Sequence, residues 1–477
     1  MACRHVRRPK GSRAVVDVVG DGHEGTGSRP PTKSPVQAIR ARLLRGSGSV
    51  FLGMGLGAVL GLVVNGLLAR LLSHDALGTY FLMFSLAAFG AQLANLGMEK
   101  AVVRTVSAGL GTDQPGQARA ATRLAFIIGS IGALVVAAVM VIGLGGFLAR
   151  HVYHSQAMSG VVVFGAGWLI AMALQRLVAE TFRGFQRFWS ATLFSGLSVD
   201  ILSVIVFGLL WLGHAHPTLA QVVLLTVGVT AVSLLAGGFL IWRKVRSLGH
   251  EGHLRPRDML SIGWPLVITN ALNFTLGTGV DLWVIGAFRP HDEVALYGAA
   301  FRLVFFVATP FIIASQVVPP IIAELHAQGR KHDLEYSLRE VATVAGIPAA
   351  LVLLAFLFVG APIMGFVYGD FFRQGATVLA ILSVARLYAV CTGNSGSLLM
   401  MTGHQKTMMR ITAVSAVLGI TAELLVVRRF GMVGVAIATA CAQVIQNTLQ
   451  LVFGKLRVGI WTHVELSFKP VRDLLGR

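Results

Sequence analysis

Twelve long apolar runs, the first at residues 48–72 and the last at 430–454, limit what this chain can fold into more than any other feature. A run of about 20 apolar residues spans the hydrocarbon of a bilayer as a helix. Within lipid each backbone amide must find its partner inside the protein, so connected helices are the architecture that fits such runs. Only 13% of residues are charged, about half the share of an ordinary soluble domain. The predicted fold class is therefore all-α: a polytopic membrane protein with about twelve transmembrane helices. The connections are too short for a sizeable soluble catalytic domain. Cys3, Cys391 and Cys441 lack paired spacing, so a metal site has no support, and no phosphate-binding GxxxxGK[ST] loop provides for ATP hydrolysis. No cofactor is expected.

Residues 1–46 carry ten Lys/Arg, three Asp/Glu and a Gly/Ser/Pro/Lys stretch from Gly25 to Pro35 that offers nothing to bury. They read as a disordered basic cytoplasmic extension, without the short apolar core of a cleaved signal. With the N-terminus inside, 31 of the 40 Lys/Arg fall in cytoplasmic segments, 6 outside and 3 within helices. This asymmetry satisfies the positive-inside rule. It predicts a multi-pass protein of the cell inner (cytoplasmic) membrane with both termini in the cytoplasm, and it accounts for most of the net charge of +19. Anionic membrane lipids are the partners of these basic loops; no nucleic-acid partner is needed.

The chain repeats itself. Ser73-His74-Asp75-Ala76-Leu77-Gly78-Thr79-Tyr80 follows helix 1 and Pro290-His291-Asp292-Glu293-Val294-Ala295-Leu296-Tyr297 follows helix 7, an offset of 217. Gly184-Phe185-Gln186-Arg187 after helix 4 matches Gly403-His404-Gln405-Lys406 after helix 10, an offset of 219. Six helices per unit keep both units in one orientation, related by an axis along the membrane normal. The expected organisation is two pseudo-symmetric six-helix bundles, residues 47–245 and 246–460, with a cavity between them and a cytoplasmic tail, 461–477.

The run Ala69-Arg70-Leu71-Leu72-Ser73 through Leu77-Gly78-Thr79-Tyr80, the segment Tyr297-Gly298-Ala299-Ala300-Phe301-Arg302-Leu303, the Thr402-Gly403-His404 turn and the Phe430-Gly431-Met432-Val433-Gly434 turn carry a family likeness over about residues 48–460. In order and spacing they resemble the Wzx-like polysaccharide flippases of the multidrug/oligosaccharidyl-lipid/polysaccharide superfamily. The resemblance implies a V-shaped pair of bundles and a non-enzymatic role. The cargo would be a polyprenyl-diphosphate-linked oligosaccharide, carried to the outer leaflet by alternating access for exopolysaccharide, O-antigen or capsule assembly. Polymerase and chain-length proteins of that pathway would be its partners.

Seven charged residues fall inside the runs: Arg176, Glu180, Asp200, Asp281, Arg302, Arg386 and Glu423. Each costs about 2.5–3.5 kcal/mol at a helix centre, which makes each a functional candidate. Arg176 and Glu180, at i and i+4, suit a local ion pair. Arg302 and Arg386 are candidates to hold a diphosphate, because a guanidinium is a forked, permanently charged donor. Asn270, Asn273 and Asp281 share a face of helix 7, and Gln92 and Asn95 share one of helix 2. These amides are candidate cavity groups for sugar hydroxyls, although polar glue between helices is an equal reading for such stripes. Asp281 and Arg302 each lie about eight residues from the helix 7–8 turn, hence about 12 Å below it. They are expected to meet, either as a fixed salt bridge or as a coupling element in which Asp281 takes up a proton or cation. Prolines 265, 310, 319, 320, 348 and 362 lie in the second half, which is expected to bend more. Glycines 53, 57 and 61 offer close helix packing, and the loop histidines read as solvated turn residues.

A cation-coupled multidrug antiporter on the same fold is the alternative, one that would favour carboxylates over arginines in its cavity. A lipid II flippase and a membrane-embedded glycan polymerase are weaker alternatives. The charge map makes a direct prediction: reporter fusions after Gly213 and Arg289 give the outer-side signal and one after Arg246 the inner-side signal. An outer signal at Arg246 overturns the map.

Overall fold

The structure is a computed structural model that describes residues 48–248, 252, 254–277, 280–315 and 318–465. The basic extension 1–46 lies outside the described residues. Among those described, the chain is helical throughout, with no strand. The first half comprises α1 (Gly48–Leu71), α2 (His74–Ala94), α3 (Met98–Gly111), α4 (Pro115–Val152), α5 (Gln156–Gly184), α6 (Phe188–Leu212) and α7 (Leu219–Arg246). The second comprises α8 (Pro256–Gly277), α9 (Val280–Phe288), α10 (His291–Ser315), α11 (Val318–Ala327), α12 (Lys331–Tyr368), α13 (Ala376–Thr392), α14 (Ser395–Met401) and α15 (Gln405–Val458). The end of the molecule where α1 starts is called proximal, and the opposite end distal.

Ten described helices are long and apolar enough to cross a bilayer. One of them, α15, has 54 residues and would reach about 80 Å if straight. Gly431, at φ +55° and ψ −146°, folds it back instead. The Thr439 hydroxyl donates to Glu423 at 3.1 Å across the hairpin, and a Cβ on Gly419 would lie 3.0 Å from Ala442. α15 thus makes two crossings, where the eleventh and twelfth spans are expected. The expected seventh span is described in two pieces, α8 and α9.

Local chemistry sets the distal turns. Ser73 caps α2 by accepting the amide of Ala76, and Asp75 in the first turn suits the positive end of the helix dipole. Thr218 and Gln221 form a reciprocal capping box at α7. Short non-spanning helices sit at equivalent places, α3 between α2 and α4 and α11 between α10 and α12. Bending in the second half follows proline in part: α12 departs from helical geometry at Val359, three residues before Pro362. Pro319 and Pro320 open the short helix α11 and bend no span. The first half also bends, without proline, through wide π-helical turns at Met140–Leu144, Leu148–Val152 and Leu193–Leu197. Of Gly53, Gly57 and Gly61 in α1, Gly53 packs against Thr192 of α6, whereas a Cβ on Gly57 or Gly61 would meet nothing within 4 Å.

The two halves meet distally. Gly78 of α2 leaves room for the carbonyl oxygen of His291, and Gly298 of α10 leaves room for the ring of Phe81. Around them Phe81, Leu82, Met83, Tyr297, Tyr368 and Phe372 are buried in one core. His74 stacks on Phe371 with centroids 3.7 Å apart, and Arg70 donates to the carbonyl of Phe366 at 2.9 Å. His291 is 9% exposed, with Nδ1 3.3 Å from both the Asp75 carboxylate and the Thr79 hydroxyl. These two histidines are packed groups of the interface, and the solvated reading does not hold for them. Proximally, the first described residues of the expected tail are tied down: Thr462 donates to the Thr392 carbonyl at 2.6 Å and the Glu465 amide to Thr343 at 3.0 Å.

Gly431 occupies backbone space that is essentially glycine-only, and the Glu293 carboxylate, which accepts the Met432 amide at 2.9 Å, lies against it. Gly431→Ala is expected to lower stability by about 1–3 kcal/mol, read as a reduced melting temperature of the purified protein in detergent.

Candidate functional site

A cavity of about 720 Å³ opens among α1, α2, α5, α6 and α7 and is closed on one side by Phe274, Leu282, Phe301 and Arg302 of the second half. It is therefore displaced into the first half rather than centred between the bundles. Arg302 enters because Gly298, one turn before it, lets α10 approach α2. Its guanidinium lies 3.8 Å from the centroid of Phe81 and 5.6 Å from that of Phe84, and it donates to the Gly298 carbonyl at 3.1 Å. Such stacking offsets part of the cost of a cation among apolar groups. Arg176 stands lower on the wall and donates to Gln92 at 2.8 Å. Asp200 of α6 also lines the cavity, and hydroxyl and amide groups including Ser85, Gln175, Thr226 and Thr230 complete a mixed surface. Trp283 of α9 donates to Ser85 at 2.9 Å, another polar stitch across the halves.

Asp281 does not meet Arg302. Asp281 points into the second half, where the Tyr297 hydroxyl donates to it at 2.5 Å. There it lines a water-sized pocket of about 10 Å³ with Glu423, Thr439 and Gln443. Asp281 and Glu423 are only 5% and 4% exposed. Thr439 bonds Glu423 and is within hydrogen-bonding reach of Asp281 as well. Arg386 lies within electrostatic range of Asp281 and Tyr297. It does not line the Arg302 cavity, so the two candidate diphosphate arginines are in different places. Among the described residues, Glu423 Oε2 and Gln443 Oε1 are buried and find no hydrogen-bond partner. The pairing of Glu423 with Asp281 escaped the sequence reading; the signal was that each lies about two turns before a distal turn.

Gln92 lines the cavity, but Asn95 does not. Asn95 is fully buried between α2 and α5 and donates to the Ala173 carbonyl at 3.0 Å and to Glu99 at 2.9 Å. It is a strut, the ordinary role of a buried amide between membrane helices. The side chains of Asn270 and Asn273 lie outside the described residues. Arg176 and Glu180 do not pair. Arg176 reaches Glu99 at 4.0 Å, while Glu180 pairs with Arg183 at 2.5 Å and Lys100 at 3.6 Å. Tertiary partners displaced the local i, i+4 geometry.

Residues 43–326 match the family model described as polysaccharide biosynthesis protein, and residues 265–425 match the MatE model. The probable low-salt glycan biosynthesis flippase Agl15 of Haloferax volcanii is 23% identical over 419 residues, which cover 85% of this chain and 82% of that protein. Among solved structures, an inward-facing multidrug resistance MATE family transporter of the MOP superfamily gives a TM-score of 0.69 at 13% identity. That match covers 86% of this chain and 98% of the transporter. The lipid II flippase MurJ in an inward closed conformation gives 0.66 at 15% identity, covering 85% and 87%. These likenesses establish the fold as that of transporters.

The separation of Asp281 from Arg302 predicts a double-mutant cycle. Asp281→Asn and Arg302→Gln should add within about 0.5 kcal/mol in thermal stability, as groups without shared partners do. Rescue of one by the other would mean that the two side chains touch.

Proposed function

The chain belongs to the polysaccharide biosynthesis protein family, and from that premise we propose that it is a flippase for lipid-linked glycan. The proposed substrate is a polyprenyl-diphosphate-linked oligosaccharide, moved from the cytoplasmic to the outer leaflet of the cell inner membrane for surface polysaccharide assembly. The observation that carries this reading is Arg302, a guanidinium stacked on Phe81 yet lining a cavity of about 720 Å³ walled by hydroxyls and amides.

The two bundles, 47–245 and 246–460, would rock about the substrate, with proximal as cytoplasmic and distal as outer. Arg302 receives the diphosphate by charge and forked hydrogen bonding, with Arg176 as a second cation nearer the entrance. Gln92, Gln175 and Thr226 present partners for sugar hydroxyls, and the isoprenoid tail stays in lipid. Arg302 belongs to the second half and Phe81 to the first. A diphosphate that draws the guanidinium off the ring therefore loosens a contact across the distal interface, which links loading to opening toward the outer side. The Asp281–Glu423 pair serves as the coupling element. Two carboxyls confined together call for a compensating positive charge, which Arg386 supplies in part and an entering proton or cation completes. Occupancy of that pocket then biases the packing of α9, α10 and α15.

The MatE match keeps the multidrug antiporter as the second reading. Arginines 302 and 176 in the cavity oppose it, since they repel a cationic drug. The test is a flipping assay in proteoliposomes. Arg302→Ala should reduce transport at least tenfold with normal insertion, and Arg302→Lys should restore part of it because charge returns without the fork. Full activity of Arg302→Ala, or efflux of cationic dyes with no lipid flipping, would overturn the proposal.

A further inference from the structure

The walls of the Arg302 cavity differ in the kind of hydrogen bond they have left to offer. On the side built by α5, α6 and α7 the protons are spent inside the protein. Thr226 and Thr230 of α7 donate to the carbonyls of Val222 and Thr226, each at 2.8 Å, and Ser195 of α6 donates to that of Thr192 at 2.9 Å. The wide turn Leu193–Leu197 brings the Phe194 carbonyl to α5, where Gln175 answers it. Gln175 commits both amide hydrogens, to that carbonyl at 2.7 Å and to Ser233 at 2.8 Å. Its Oε1 is buried and, among the described residues, accepts no hydrogen bond. What these groups still present to the cavity they line is oxygen lone pairs.

Three residues beyond the wide turn, α6 brings Asp200 to the same wall. A carboxylate is the strongest acceptor a side chain can supply, and one inside a membrane helix is costly unless a ligand answers it. The facing side is the reverse. Arg302 and Arg176 can only donate, and Gln92 accepts from Arg176 at 2.8 Å, which leaves its amide to donate. Tyr80 lines the cavity within electrostatic range of both Arg302 and Asp200, so one ligand can touch both.

This sorting selects what lies where. Diphosphate oxygens only accept, which places them with the arginines. A group against Asp200 must donate. Neutral hydroxyls qualify, whereas a cationic amine meets net repulsion, because two guanidinium groups stand against one carboxyl among the described lining residues. Two neighbouring hydroxyls of a sugar ring can donate to the two oxygens of one carboxylate, a charge-assisted pairing.

We propose that Asp200 is a specificity-determining residue for the sugar joined to the diphosphate, clasping two of its hydroxyls while Arg302 holds the phosphate oxygens. This role rests on the flippase reading above and adds to it that the protein distinguishes a loaded carrier lipid from a bare one.

The test measures lipid binding to the full-length protein in detergent by native mass spectrometry. Undecaprenyl diphosphate is offered bare or carrying one glucose, galactose or N-acetylglucosamine. In wild type the best sugar-bearing lipid should bind about tenfold or more tightly than the bare one, the share that a hydrogen bond to a charged group contributes. Asp200→Asn keeps the shape of the side chain and should bring that ratio below about threefold. Removing a negative charge strengthens binding of both lipids, so the ratio and not the affinity is the readout. Arg302→Ala should weaken both lipids and keep the ratio. Should Asp200→Asn not fold, wild type decides with singly deoxygenated forms of the best sugar: loss of at least one hydroxyl should abolish the preference, since a site built for a hydroxyl rejects the analogue that lacks it. No preference in wild type, an unchanged ratio in Asp200→Asn, or indifference to every deoxygenation overturns the role of Asp200 while leaving the flippase reading, which binding of the bare lipid upholds. Binding of neither lipid overturns both. Tetraphenylphosphonium bound by wild type and lost in Asp200→Asn would make the wall a cation site and overturn the sugar assignment.

Discussion

At Gly78 the backbone of α2 rides against the carbonyl oxygen of His291, and at Gly298 the backbone of α10 admits the Phe81 ring, so a methyl group at either position would collide. Residues on a helix are 100° apart, and this fixes what the neighbours of Gly298 can do. Tyr297 turns toward α9 and bonds Asp281, while Arg302, one turn on from Gly298, extends along the same face into the first-half cavity. One close helix crossing therefore aims the anion-attracting group and the hydroxyl that steadies the buried carboxyl, in opposite directions.

The result sets the Asp281–Glu423 pair apart from Arg302 and Arg176, although Asp200 shares the arginine cavity. Arginines 302 and 176 face the large cavity, where a ligand can replace lost water, whereas Asp281 and Glu423 share a pocket with room for about one water. A diphosphate cannot reach the carboxyls, and a small cation has little reason to stay by the arginines. Both charge types are costly in a membrane interior, and each is placed where a ligand of opposite sign and matching size would offset the cost.

Much of the fold was legible because it depends on distances along the chain. The apolar runs marked the crossings, and the repeated turns fell between helices, at Ser73, Pro290, Phe185 and Gly403. Direction was not. The rotation of each helix about its axis is set by packing, here by Gly298 against Phe81, and that rotation sent Asp281 toward α15 instead of Arg302. Asn95 illustrates the same limit. A polar stripe reads alike whether it faces water or a neighbouring backbone, and only the Ala173 carbonyl distinguishes the two. The Glu99 and Lys100 partners of Arg176 and Glu180 lie about 80 residues away in sequence, beyond any helical periodicity.

The distal interface is built mostly of ring stacking and buried apolar surface, with His74 on Phe371 and Tyr368 and Phe372 scarcely exposed. Among the described residues, the contact of a carboxylate with a basic side chain across the halves is that of Asp75 with His291, and Asp75 is itself 66% exposed. Parting these surfaces would wet aromatic rings, so the separated state would carry the larger heat capacity. Such an interface weakens on cooling and changes little with ionic strength. The balance between closed and parted forms would thus follow the temperature of the surroundings far more than their salinity.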